Sequence, residues 1–160
     1  MFKLSLAILL IGSAWGIGWE RRLRLKARAV RLRRILDGLL CLEGEIRTAL
    51  SPIPFALTAA GKYDPLFQCA AHLSSETDIV SAFQKAVEED DLGKEEREIL
   101  SVFGIGLSAS DERGQLQNLS ACRGRLELVT SMAEEDAARL GRLYSGGGAM
   151  LGIGAAILLF

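Results

Sequence analysis

Apolar positions along the chain fall into two kinds of run: unbroken stretches at both ends and helical repeats between them. In the middle, Leu32, Ile35, Leu36, Leu39, Ile46 and Leu50 recur at three- and four-residue steps, which places them on one helix face. No proline interrupts Trp19 to Leu50, so one long helix is expected there, weakened slightly by Gly38 and Gly44. The turn Ser51-Pro52-Ile53-Pro54 ends it, because prolines remove backbone donors and restrict the residue before them. Three or four short helices follow. One runs from Pro54 to Ala60 and closes at a Gly61 cap. The next opens at Pro65 behind Asp64, an N-cap with proline in the first turn, and reaches Ser74. Asp78 caps a third that carries Ile79, Val80, Phe83 and Val87. Glu88 to Asp91 and Gly93 read as a solvated loop, and Lys94 to Phe103 resumes the helical pattern around Ile99, Leu100 and Val102.

The last helix is the longest. Behind a cap at Ser110 or Asp111, a near-heptad seam runs through Leu116, Leu119, Cys122, Leu126, Val129, Ala133, Ala137, Leu140 and Tyr144. No period-two run survives anywhere, so the fold class is all-α. The expected architecture is a membrane-anchored helical bundle, with two long antiparallel helices capped by the short ones.

The anchors are the apolar ends. Phe2 to Gly18 spans seventeen residues, apolar apart from Lys3 and two serines, which at a helical rise reach about 25 Å. A cleaved signal peptide competes with a retained anchor, since Gly12-Ser13-Ala14 offers small residues at cleavage positions. The downstream charge favours the anchor. Arg21, Arg22, Arg24, Lys26, Arg28, Arg31, Arg33 and Arg34 follow at once, and positive charge next to a membrane segment stays on the cytoplasmic side. The run "LYSGGGAMLGIGAAILLF" mirrors this at the C-terminus behind Arg139 and Arg142. It is long enough to cross, to enter without crossing, or to pack as a buried helix. Residues 1–18 and 146–160 are thus expected in the membrane, and residues 19–145 form a cytoplasmic helical domain. Glycines four apart, Gly12 with Gly16 and Gly148 with Gly152, suit contact between the two segments or between copies in a homo-oligomer.

Charge sharpens this division. Trp19 to Leu50 carries nine basic residues against four acids, whereas the chain from Ser51 onward carries nine against sixteen. The basic run has no aromatic beyond Trp19 for stacking on bases, so no nucleic-acid partner is expected, and membrane lipids are. Catalytic chemistry finds no footing. His72 is the only histidine, no metal-ligand spacing exists, and the glycine-rich C-terminal run lacks the Lys-Ser/Thr of a phosphate loop. The chain is therefore not read as an enzyme, and neither cofactor nor metal is expected. Cys41, Cys69 and Cys122 have no paired spacing, which fits reduced thiols.

Two stretches resemble the stage III sporulation protein AB family. "LEGEIRTALSPIPFAL", Leu42 to Leu57, is similar to the family's L-E-x-E-I run and the proline turn after it, here Ser51, Pro52 and Pro54. "FGIGLSASDERGQLQNL", Phe103 to Leu119, is similar to its L-G-x-x-L-G-x-S-D stretch, with Ser108 where the family usually has Gly. The resemblance implies a soluble fold like the cytoplasmic domain of type II secretion and type IV pilus platform proteins. It implies a structural role in the secretion-like complex that mother cell and forespore build across their membranes. The protein would sit in the mother-cell membrane around the forespore, its domain in the mother-cell cytoplasm. There it would couple a secretion-type ATPase, stage III sporulation protein AA, to other proteins of the complex. The alternative is a peripheral protein that binds anionic lipid or nucleic acid through residues 21–34. For the platform, Ile105, Leu107 and Asp111 are the candidate docking residues, since apolar side chains there lie in a turn where polar ones are usual.

The charge bias makes a topological prediction. Cysteine-accessibility mapping of the full chain should find position 90 on the cytoplasmic side, and labelling of that position from outside would reverse the assigned orientation.

Overall fold

In the computed structural model, every regular element among the described residues is helical. The structure describes the backbone of residues 2–49, 52–108 and 111–159, and side chains within 23–48, 52–108 and 111–139. The elements are α1 (Phe2–Gly44), a π-helical turn (Glu45–Ala49), α2 (Ile53–Ala60), α3 (Pro65–Leu73), α4 (Ile79–Glu89), α5 (Lys94–Gly106) and α6 (Glu112–Leu159). The chain divides into two units, Val30–Thr130 and a second made of Met1–Ala29 with Ser131–Phe160. Within the second unit Ala29, Ala133 and Ala137 are buried, so its described seam consists of small residues. The apolar ends 1–18 and 146–160 lie outside the residues whose side chains are described. Among the described residues, no helix is long and apolar enough to cross a membrane.

The core of the first unit follows the apolar pattern closely. On α1, Leu32, Ile35, Leu36, Leu39 and Leu42 are buried, as is Ile46 in the π-turn. On α6, Leu119, Cys122, Leu126 and Val129 are buried. The short helices pack in sequence, α2 on α3, α3 on α4 and α4 on α5. The last three, α3, α4 and α5, each contribute one ring to a row. Phe67 and Phe83 lie with ring centroids 6.5 Å apart, and Phe83 meets Phe103 edge-on at 5.4 Å. Rings in tilted and edge-on pairs gain about 0.5–1.5 kcal/mol beyond the area they bury.

Two helix glycines make that row possible. A methyl group at Gly38 would overlap the Phe67 ring, and one at Gly104 would stand 2.8 Å from Phe83. Glycine here weakens each helix by about 1 kcal/mol in propensity while letting an aromatic ring reach the backbone. Gly61 closes α2 as expected, its N–H donating to the Leu57 carbonyl at 2.9 Å. Its φ of −59° is ordinary right-handed helix, so it is not a left-handed cap. What it provides is clearance, since a side chain there would press on Gln68 at 3.0 Å.

Boundaries in the middle shift in four places. The first long helix widens into the π-turn at Glu45, where the Thr48 hydroxyl donates to the Gly44 carbonyl at 2.6 Å. The prolines also begin the next helix: Pro52 is the N-cap of α2, and Pro54 sits in its first turn. Both are compatible with that position because the first turn's N–H groups have no helical acceptor. The expected acidic loop is shorter, since Glu88 and Glu89 belong to α4. The expected turn from Phe103 is helix as far as Gly106. Asp64 and Asp78 cap as read: Asp64 accepts from Leu66 N at 3.1 Å, and Asp78 from Ser81 N at 3.3 Å.

The cysteines are free. Burial pushes the Cys122 thiol up to about 12, so it stays protonated at neutral pH. Cys41 is half-buried and raised by burial and then by Glu45, whereas Cys69 is exposed.

Phe83 touches both other rings, so Phe83→Ala should cost about 3–5 kcal/mol, more than Val102→Ala on the solvent side of α5. Thermal unfolding of the full chain in detergent checks the ranking.

Candidate functional site

One arginine of the basic run faces inward. Arg31 lies on the half-buried edge of α1, and its Nη2 donates to both carboxylate oxygens of Asp90 at 2.7 Å. The same nitrogen stands 3.5 Å from Oδ1 of Asp64, and Nη1 donates to the Asp91 carbonyl at 3.4 Å. Asp64 is fully buried and already caps α3; its other oxygen, Oδ2, has no hydrogen-bond partner among the described residues. Arg31 is thus the countercharge for a carboxylate out of reach of water. Burial alone would lower the Arg31 pKa, but the hydrogen bonds and charges of Asp90 and Asp64 outweigh it and raise the value.

A second arginine holds the same loop from the other side. Arg97 Nη2 donates to the Asp90 carbonyl at 3.0 Å and to that of Leu92 at 3.5 Å. The segment between α4 and α5 is therefore fastened, which corrects its expected character as a freely solvated acidic loop. Local patterning could not show this, because Asp90 lies 59 residues from Arg31.

The clamped segment leads into α5. Gln84 donates to the Ser101 carbonyl at 2.6 Å and Asn118 to that of Phe103 at 2.9 Å, fixing α5 from α4 and from α6. Gly106 allows this approach, since a side chain there would overlap Asn118. Ile105 is 62% exposed and Val102 51%. Leu107 is only 4% exposed, which removes it from the candidate docking residues. The helix runs on through Gly106 and sets Leu107 facing the core, where a looser turn would have left it outside. Asp111 is exposed and accepts from Gly114 N at 3.3 Å, so it is tied to capping α6. Val102, read from the sequence with Ile99 and Leu100 as part of the apolar pattern and not as a docking residue, stands on the solvent side; its three-residue offset from Ile105 is the signal that identifies it.

The other expected site residues scatter. Arg24, Lys26, Arg28, Arg33, Arg34 and Arg139 are exposed, and the side chains of Arg21, Arg22, Ser51 and Arg142 lie outside those described. Pro52 and Pro54 are exposed at the start of α2. Among the described residues no group of acids, histidines and cysteines could hold a metal ion.

A family model described as stage III sporulation protein AB matches residues 3–160. The chain belongs to the stage III sporulation protein AB family. A solved structure titled stage III sporulation protein AB (SpoIIIAB) is similar to it, with a TM-score of 0.64 and 22% identity. That match covers 70% of this chain and 97% of the other, and it establishes the all-helical fold. No curated protein matches. The family is one of sporulation, so the chain is a sporulation protein, and its family description names no reaction. In this stage III sporulation protein AB relative, Ser108 donates to the Ile105 carbonyl at 3.1 Å, so the residue standing in place of glycine satisfies a carbonyl at the end of α5.

Removing the guanidinium should be costlier than removing either partner's charge alone. Arg31→Gln leaves the buried Asp64 without its cation and should cost about 2–3 kcal/mol, against about 1 kcal/mol for Asp90→Asn. Thermal unfolding of the full chain in nanodiscs would show it, and an Arg31→Gln protein as stable as the parent would refute the clamp.

Proposed function

We propose that the chain is a structural platform of the complex between mother cell and forespore, docking a secretion-type ATPase, stage III sporulation protein AA, at the membrane. In this reading residues 1–18 and 146–160 anchor it in the mother-cell membrane around the forespore. Residues 19–145 then work in the mother-cell cytoplasm, in the manner of the platform proteins of type II secretion and type IV pilus systems. Other proteins of the complex and membrane lipids are its further contacts.

The observation that carries the docking role is the pair Val102 and Ile105, large apolar side chains left in solvent on a helix fixed from two sides. Membership of a sporulation family supports the setting. Exposed Arg24, Lys26, Arg28, Arg33 and Arg34 support the membrane orientation, since such residues bind anionic headgroups. The competing reading, in which residues 21–34 are themselves the working surface, loses Arg31 to the interior clamp.

Co-purification from membranes of sporulating cells tests the proposal. Wild-type protein should retain the ATPase, and Ile105→Asp should recover roughly a tenth or less while staying in the membrane fraction. Leu107→Asp is unsuitable as a probe because that side chain is in the core. Failure of the wild-type protein to retain the ATPase would end this reading.

A further inference from the structure

Outward positions of α5 form a single line. Glu95, Glu98, Val102 and Ile105 succeed one another at three- and four-residue steps, and all four are exposed. Glu96, Leu100, Phe103 and Gly104 of the same helix are buried, so the line is held toward solvent. The stretch of chain around it is acidic in balance. From Glu76 to Glu112 there are eleven acids against three bases, a balance of −8 in a chain whose total is −1. Asp90 among the acids is paired with Arg31, Lys85 stands 3.9 Å from Glu89, and Arg97 holds the carbonyls of Asp90 and Leu92. Two apolar anchors therefore continue a line that begins with two exposed acids, in a stretch of net negative charge.

That combination selects the chemistry of what covers it. An anionic leaflet and a nucleic-acid backbone share its sign and are repelled. A wholly apolar partner would desolvate Glu95 and Glu98 without counterions, which is costly. A protein surface with an apolar cleft bordered by Lys or Arg satisfies both halves of the line. We infer that the ATPase presents such a surface, seating Val102 and Ile105 in the cleft and setting basic residues against Glu95 and Glu98. The inference rests on the docking role proposed above and adds the chemistry of the contact. The apolar pair supplies most of the affinity, and the acids set the rate and selectivity of encounter.

The test uses the full chain in nanodiscs of zwitterionic lipid and the purified ATPase, with affinity measured from about 0.05 to 0.5 M NaCl. Wild-type binding should weaken as salt rises. The double variant E95K/E98K should lose roughly tenfold or more at low salt and show a flatter salt dependence. The double variant V102S/I105S should lose a similar factor, roughly tenfold, at every salt concentration. All four side chains are exposed, so circular dichroism should stay unchanged in both. Wild-type affinity in both variants, or binding indifferent to salt, overturns the inference and leaves the docking role standing. So does a V102S/I105S protein that loses self-association and keeps the ATPase, which would assign the line to a second copy. A wild-type chain that binds no ATPase overturns the docking role and this inference together.

Discussion

A single guanidinium ties together three segments at their polar ends. Arg31 on α1 joins the N-cap of α3 to the end of α4 through Asp64 and Asp90, and Arg97 reaches the same peptide segment from α5. Asp64 is the most demanding member, because a fully buried carboxylate is tolerable only with a cation beside it. The geometry at Asp90 is close to that of a charge-assisted bond, 2.7 Å to each oxygen, and the pair keeps partial access to water. Its net contribution to stability is modest, and its effect is to specify position. The line of α5 that faces solvent has a defined direction because the loop before it is held at both ends.

Packing supplies the second constraint. Three phenylalanines from three consecutive short helices could not form a row if α1 and α5 carried side chains at positions 38 and 104. Helix propensity is given up at these glycines, and ring contact is gained. Glu43 adds a polar tie between the long helices, accepting from Arg123 at 2.6 Å and from Arg47 at 2.8 Å.

What the sequence made legible was whatever depends on near neighbours. The caps at Asp64, Asp78 and Asp111, the break at Pro52 and Pro54, and the apolar faces of α1 and α6 each follow from residues within a turn or two. The clamp was hidden, because nothing local distinguishes Arg31 from the seven other basic residues of its run. Gly104 and Gly106 were misleading for the same reason. Glycines spaced two apart resemble a turn until the ring of Phe83 and the amide of Asn118 are known to lie against them. On the candidate docking residues this produced one inversion: Ile105 stands outside as expected, and Leu107, two positions on, lies within.

The 59-residue separation of Arg31 from Asp90 also has a bearing on how the chain is made. At about 5–20 residues per second, roughly 3–12 seconds pass on the ribosome between the appearance of one partner and the other. Glu43 waits longer still, since Arg123 is 80 residues away. During that interval the apolar face of α1, with Ile35, Leu39 and Leu42, has been synthesised and is covered only in part, by Phe67 of α3 against Gly38. Until the fourth and sixth helices have emerged the rest of that face is open, and this is the interval in which the nascent chain is most prone to wrong association.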